Sequence, residues 1–237
     1  MDFDYIDLIG VGGIGTALAE PLARLLMYIL DKPKLLTLWD GDTVEDKNLQ
    51  RQNFTLDEVG KSKVFPTQER LERILDNSEV TLGTCKFYVN ESIYTKALSK
   101  REGSTLVITS VDNVKTRSDI MKAIRSSGKD VVMVSPGNGL DDGQVITWAG
   151  IQGIEYGICR LDFDEDYINP PDLIPNSCTK AYASTPQLIT ANVMAASVTI
   201  QLLHRLFTEG EFFEEVQFKS NPFPLVLPTS KQPIKLP

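Results

Sequence analysis

Apolar positions along the chain follow two periods in alternation. Tyr5-Ile6-Asp7-Leu8-Ile9 is a short, almost unbroken apolar run, the pattern of a strand buried in a parallel sheet. Leu18, Leu22, Leu25, Leu26, Ile29 and Leu30 then recur at helical spacing. They predict an amphipathic helix over about 15–30, with Pro21 as a kink or an end to its first turn. Further strands are expected at Leu35–Trp39, Val80–Val89, Thr105–Ser110, Val131–Ser135 and Gly143–Ala149. A helix over Lys61–Leu75 would turn Val64, Leu71, Ile74 and Leu75 to a sheet. Others are expected at Ser92–Ser99 and after Asp112, where Arg117 and Ile120 fall. This alternation specifies an α/β fold, a Rossmann-like doubly wound sheet with helices on both faces. It is mostly parallel, with antiparallel C-terminal strands.

The alternation lapses after residue 160. Asp162, Asp164, Glu165 and Asp166, then Pro170, Pro171 and Pro175, read as a long crossover loop over 160–184 lying across the sheet face. A long helix is expected from Thr185-Pro186 to about Phe207, burying Ile189, Val193, Ala196, Ile200, Leu203 and Leu206. Phe212–Phe218 reads as the last strand. Residues 219–237, with Pro222, Pro224, Pro228 and Pro233, read as an extended tail. The whole of 1–237 is expected to form one domain.

Composition narrows the classes. A hydrophobic content of 42% suffices for a core, and a net charge of −8 argues against general nucleic-acid binding. The three cysteines, Cys85, Cys159 and Cys178, lie far apart and form no CxxC pair, which argues against a disulfide framework and a four-cysteine zinc site. Neither a secretory n-region nor a bilayer-length apolar run is found, so a cytoplasmic protein is expected. His204, the only histidine, falls near the end of the last helix, where a surface or capping role leaves no histidine-based triad.

Candidate chemistry gathers where strands end. Between the first strand and helix lies Gly10-Val11-Gly12-Gly13-Ile14-Gly15, a turn that can pass close to a phosphate and offer it a helix N-terminus. Asp40 ends the second strand, where a carboxylate can accept from both ribose hydroxyls of an adenosine. Arg51 and Lys63 can approach a triphosphate as a bidentate donor and a point charge, although either alone reads better as a solvated surface cation. Asp112 ends a third strand and can hold Mg²⁺ beside phosphates while capping the helix that follows. In an open parallel sheet all of these ends face one crevice.

Five blocks together are more specific than any one: Gly10-Val-Gly-Gly-Ile-Gly; Asp40-x-Asp42-x-Val44-Glu45; Asn48-Leu-Gln-Arg51-Gln52; Gly60-Lys-Ser-Lys63; and Asp112-Asn113. In this order the chain resembles the ThiF/MoeB/HesA family of adenylation domains related to ubiquitin-activating enzymes. Pro175-Asn-Ser-Cys178 and the helix end Gln201–Gly210 further resemble the ThiF-type protein of the PRTRC gene system. The resemblance implies ATP and Mg²⁺, and adenylation of the C-terminal carboxylate of a small ubiquitin-like (β-grasp) carrier. It places Gly10, Gly12, Gly13 and Gly15 along the nucleotide and Asp40 at the ribose. Asn48, Arg51, Gln52 and Lys63 would face the phosphates, with Asp112 at the metal. It implies a homodimer, and Cys178 as a thiol able to take the activated carrier, with Lys180 near to lower its pKa. The chain lacks the two CxxC pairs of some relatives, and no arginine precedes Gly10. A nicotinamide-dependent oxidoreductase, suggested by the glycine turn and Asp40, and a silent nucleotide-binding adaptor stand as alternatives.

Overall fold

The computed structural model describes residues 1–29, 34–169, 188–219 and 224–237. Strands β1 (Tyr5–Ile9), β2 (Lys34–Trp39), β3 (Val80–Cys85), β4 (Thr105–Thr109) and β5 (Val131–Asn138) lie in the order β3-β2-β1-β4-β5, every neighbouring pair parallel. Between them run α1 (Gly13–Ile29), α2 (Val64–Leu75), α3 (Glu91–Ser99) and α4 (Val114–Ser127). The sheet then turns antiparallel through β6 (Asp142–Ile151), which pairs β5.

Strand alternation divides the core. Ile6, Leu8, Leu36, Leu38, Leu106 and Ile108 point to one face, under Leu18, Leu22 and Leu26 of α1 and Val64 and Leu71 of α2. Ile9, Trp39, Val107, Val131 and Met133 point to the other, under Tyr94 and Leu98 of α3 and Ile120 and Ile124 of α4. This is the doubly wound arrangement expected from the period switching.

The C-terminal half departs from the sequence reading in several details. A further strand, β7 (Ile154–Gly157), returns on β6 through a turn in which Gln152 and Gly153 take positive φ. Within the expected long loop, the described part holds a 3-10 turn at Arg160–Asp162 and a short helix, α5 (Glu165–Ile168). The rest of that loop, with Cys178 and the expected helix start at Thr185-Pro186, lies outside the described residues. Helix α6 (Ile189–Glu209) buries Ala196, Leu203 and Leu206 as expected, with Ile200 half-buried against the same core, but its first turns differ: Ile189 and Val193 are 56% and 49% exposed, while Ala191, Asn192 and Ala195 are buried. Small residues on that side let α6 close on α1, and proximity outweighs side-chain hydrophobicity in choosing the face.

The single expected strand at Phe212–Phe218 is two, β8 (Glu211–Phe212) and β9 (Glu215–Lys219), because their partners differ. β9 joins β6, and the tail supplies β10 (Leu225–Pro228) against β9 and β11 (Ile234–Lys235) against β8. The third strand stops at Cys85, short of the expected Val89.

One charge lies at the centre of the parallel sheet. Asp7 in β1 has no exposure, and Arg101, just past α3, meets it in a two-pronged contact of 2.6 and 2.9 Å. Tyr94 donates to one carboxylate oxygen at 2.6 Å and Trp39 Nε1 to the other at 3.0 Å. A buried carboxylate with every oxygen engaged is tolerated, whereas the same group stripped of its cation is not. Asp7→Ala and Arg101→Met should each cost about 3–5 kcal/mol in urea unfolding, because each strands the partner's charge. The double change should cost less than the sum. Strictly additive losses would contradict a coupled pair.

Candidate nucleotide site

The glycine turn after β1 is clamped from both sides. Gly10 N donates to Trp39 O at 2.8 Å, and Ser110 N donates to Ile9 O at 2.8 Å, tying the turn to the ends of β2 and β4. Gly10 has φ +92°, a conformation side-chain-bearing residues rarely adopt, and a Cβ at Gly15 would lie 1.9 Å from the Gly10 carbonyl oxygen. The chain can therefore start α1 at Gly13 immediately below the turn, with the helix N-terminus aimed into the crevice. A Cβ at Gly12 would meet only Gln52 Nε2, at 3.8 Å, so the middle of the turn stays open.

Asp40, one residue beyond β2, is held against this turn. Its Oδ2 accepts from Val11 N and its Oδ1 from Asp42 N, both at 2.8 Å. Burial pushes its pKa up, and the nearby Lys63 ammonium and those backbone donors pull the other way. Lys63 is buried, and its Nζ donates to Asp42 Oδ2 at 2.8 Å. The other Asp42 oxygen accepts from the hydroxyl of Tyr88, three residues past β3. Burial alone would raise the pKa of Asp42, but the donors Lys63 and Tyr88 outweigh it and hold the carboxyl below its usual range.

The segment after Asp42 lines the other side. Asn48 is buried, and its Oδ1 accepts from Glu45 N at 2.9 Å, so its carbonyl shapes the 3-10 turn at Asp46–Asn48. Gln52 lies over the open Gly12 through its amide Nε2, a donor suited to a phosphate oxygen, while its Oε1 is buried with no hydrogen-bond partner among the described residues. Arg51 follows the same turn, and its carbonyl accepts from Asn192 Nδ2 at 3.1 Å.

Asn192, Thr16, Tyr88 and Arg117 carry the site without having been singled out as site residues in the sequence. Asn192 also accepts from Asn138 Nδ2 at 3.0 Å, and its side chain occupies the space a Cβ at Gly13 would need. One amide thus joins the start of α1, the Arg51 segment and the end of β5. Thr16 Oγ1 donates to Gly12 O at 2.6 Å and accepts from Asn53 N at 3.2 Å. A polar residue on the apolar side of a helix is the only sequence signal either of them leaves.

Asp112 is exposed just past β4, and the cap of α4 is the next residue, Asn113, whose side chain accepts from Thr116 N. The capping role considered for Asp112 therefore falls to its neighbour, which leaves its carboxylate at the crevice. Arg117 holds this corner from beneath. Its Nε donates to Val111 O at 3.1 Å and its Nη2 to Pro136 O at 2.7 Å, while burial pushes its pKa down. Among the described residues no cluster of three His, Cys, Asp or Glu side chains is arranged to hold a metal alone. Mg²⁺ bound to nucleotide needs only one or two carboxylates besides phosphates and waters, and an exposed Asp112 beside the glycine turn fits that demand. No helix among the described residues is long and apolar enough to cross a membrane.

The hydroxyl of Tyr88 lies in an acidic setting. Its bond to Asp42 comes first, followed by burial and the charges of Asp42, Asp40 and Asp112, and together these push its pKa up to about 12 from the usual 10.0. The neutral hydroxyl is favoured in the folded state, so its contribution is present below pH 10 and fades as pH rises toward 12. Alkaline titration by ring NMR should find Tyr88 near 12, and Asp42→Asn should return it toward 10. An unshifted Tyr88 in the wild type would contradict this geometry.

The ThiF family matches residues 4–228. The chain is 34% identical over 131 residues to ubiquitin-like modifier-activating enzyme 5 of Dictyostelium discoideum, covering 52% of this chain and 32% of that protein. It is 32% identical over 114 residues to the molybdopterin-synthase adenylyltransferase of Salmonella typhimurium, covering 48% and 41%. Each match thus spans less than half of the relative's length. Among solved structures, E. coli MccB with ATP superposes with a TM-score of 0.61 at 18% identity, covering 98% of this chain and 65% of MccB, a likeness of fold. With nearly its full length matched, the chain belongs to the ThiF family.

Proposed function

We propose that this chain activates a small ubiquitin-like (β-grasp) or sulfur-carrier protein by adenylating its C-terminal carboxylate with ATP. The observation that carries this reading is the convergence of an open glycine turn, Asp40, the Gln52 amide Nε2, buried Lys63 and exposed Asp112 at the carboxyl ends of β1, β2 and β4. The names of its relatives, a ubiquitin-like modifier-activating enzyme and a molybdopterin-synthase adenylyltransferase, support it.

The chemistry suits the residues present. A carboxylate oxygen of the carrier attacks the α-phosphorus, the bond from that phosphorus to the bridging oxygen breaks, and pyrophosphate leaves with the electron pair. The nucleophile is already ionised and the leaving group departs as an anion, so no general base is required. This agrees with His204 lying exposed on α6. What the step needs is fixed positive charge around the phosphates. The start of α1, Lys63 and Arg51 would supply it, Asp40 would hold the ribose and Asn48 would support the turn bearing Arg51. Mg²⁺ held by Asp112 would neutralise phosphate charge when bound.

A homodimer and a covalent role for Cys178 belong to the same reading. In the latter, the Cys178 thiolate would attack the acyl-adenylate carbonyl and release AMP. Incubation with ATP and the carrier should then give a reductant-sensitive adduct that is lost in Cys178→Ala while pyrophosphate exchange survives. An adduct that persists in that variant would exclude Cys178.

Asp112→Ala should reduce carrier-dependent ATP–pyrophosphate exchange by about a hundredfold or more in a folded protein, and Arg51→Ala nearly as much. Near-normal exchange by either would show the site to be elsewhere. Tight binding of NAD⁺ with none of ATP in calorimetry would favour an oxidoreductase instead, a reading that leaves Lys63 and Asp112 without a task.

A further inference from the structure

Lys63 has a competitor for any phosphate. Its ammonium is buried, with 7% side-chain exposure, and sits 2.8 Å from Asp42 Oδ2, while Asp42 itself is 47% exposed. A cation committed to a carboxylate cannot give its full charge to a triphosphate, so a nucleotide that recruits Lys63 must draw it off Asp42. That exchange leaves a carboxylate beside an incoming anion, which is costly unless something else satisfies it.

Tyr88 is placed to do this. Its hydroxyl donates to the Asp42 oxygen that Lys63 does not use. Its ring lies flat against Gly41, where a Cβ would come within 2.6 Å of Cγ and 2.7 Å of both Cδ atoms, so the glycine between Asp40 and Asp42 is what lets the ring approach. The ring is otherwise 70% exposed and fills no core, so packing does not account for its position. An O–H bond to a carboxylate strengthens when the carboxylate loses its cation.

We propose that Tyr88 is a positioning residue that acts through Asp42. It holds the Asp42 carboxylate satisfied while Lys63 exchanges Asp42 for the nucleotide's phosphates, and so sets the affinity for the triphosphate but not for the nucleoside. This inference rests on the ATP-binding reading of the site. Tyr88 touches no phosphate in this scheme. Its hydroxyl, with an ordinary pKa of 10.0 pushed up further by its bond to Asp42, is protonated and a donor at neutral pH.

Binding of ATP with Mg²⁺, by calorimetry, and of adenosine, by ligand-observed NMR, to the full chain separates the possibilities. Tyr88→Phe should weaken ATP roughly fivefold and leave adenosine unchanged, because the hydroxyl's bond to Asp42, present in both states, is worth more once Lys63 has left the carboxylate. Gly41→Ala, which displaces the ring without removing the hydroxyl, should do the same. Asp42→Asn should tighten ATP, since Lys63 then lacks a competing anion, and in the Asp42→Asn background Tyr88→Phe should have no further effect. Equal losses of ATP and adenosine on Tyr88→Phe would reveal a structural role and overturn the proposal. So would unchanged ATP affinity, or the same loss in both backgrounds, which would mean direct contact. Wild-type protein that binds neither ligand would instead overturn the ATP reading itself.

Discussion

Between Gly10 and Gly15 the backbone folds back on itself so closely that a Cβ at Gly15 would lie 1.9 Å from the Gly10 carbonyl oxygen. Everything at the crevice follows from that crowding. It brings the first turn of α1 directly under the end of β1, so free N–H groups and the positive end of the helix face outward together. It also presses the turn against β4, where a Cβ at Gly10 would meet the Ser110 carbonyl at 2.9 Å and Ser110 Oγ donates to Gly10 O at 2.6 Å. With the turn fixed to β4 on one side and β2 on the other, Asp112 and Asp40 are placed by the sheet rather than by loops of their own.

The acidic residues of this half of the chain are sorted by how their charge is satisfied. Asp7 is wholly buried and spends its oxygens on Arg101, Tyr94 and Trp39, which fixes β1 against β2 and α3. Asp40 is largely buried and spends its oxygens on the backbone of the glycine turn and of Asp42. Asp42 shares a lysine and a tyrosine, and Asp112 stands exposed. Satisfaction by the protein thus decreases from the sheet toward the crevice mouth, and the groups left with unspent capacity are the ones a nucleotide and its metal would reach. Arg117 follows the converse rule: a half-buried cation that spends its donors on the carbonyls of Val111 and Pro136 and the hydroxyl of Ser135, closing the ends of β4 and β5.

The parallel half was legible because periodicity and burial coincide there. Ile6 and Leu8 face one core and Ile9 the other, as a period of two requires, and the glycine turn declared itself by composition. Legibility failed where pairing or proximity decides. Nothing in Phe212–Phe218 says that its two ends pair with different strands. The first turns of α6 defeat periodicity because Ala191 and Ala195 are buried for their smallness while Ile189 and Val193 are not, whereas Ala196, Leu203 and Leu206 further along follow it. Asn192 and Tyr88 matter through partners far away in the chain, Arg51 and Asp42, and such pairs leave no local pattern. Asp112 was singled out for its place at a strand end, and the assignment of the cap to Asn113 needed the actual dihedrals.

The most direct test of the account is a crystal structure of the full chain with a non-hydrolysable ATP analogue and Mg²⁺. The account predicts adenosine hydroxyls on Asp40, phosphates over Gly12 and the start of α1, the metal beside Asp112, and Lys63 Nζ moved from Asp42 to a phosphate oxygen. Nucleotide bound away from the glycine turn, or Lys63 still paired with Asp42 while phosphates occupy the crevice, would contradict it.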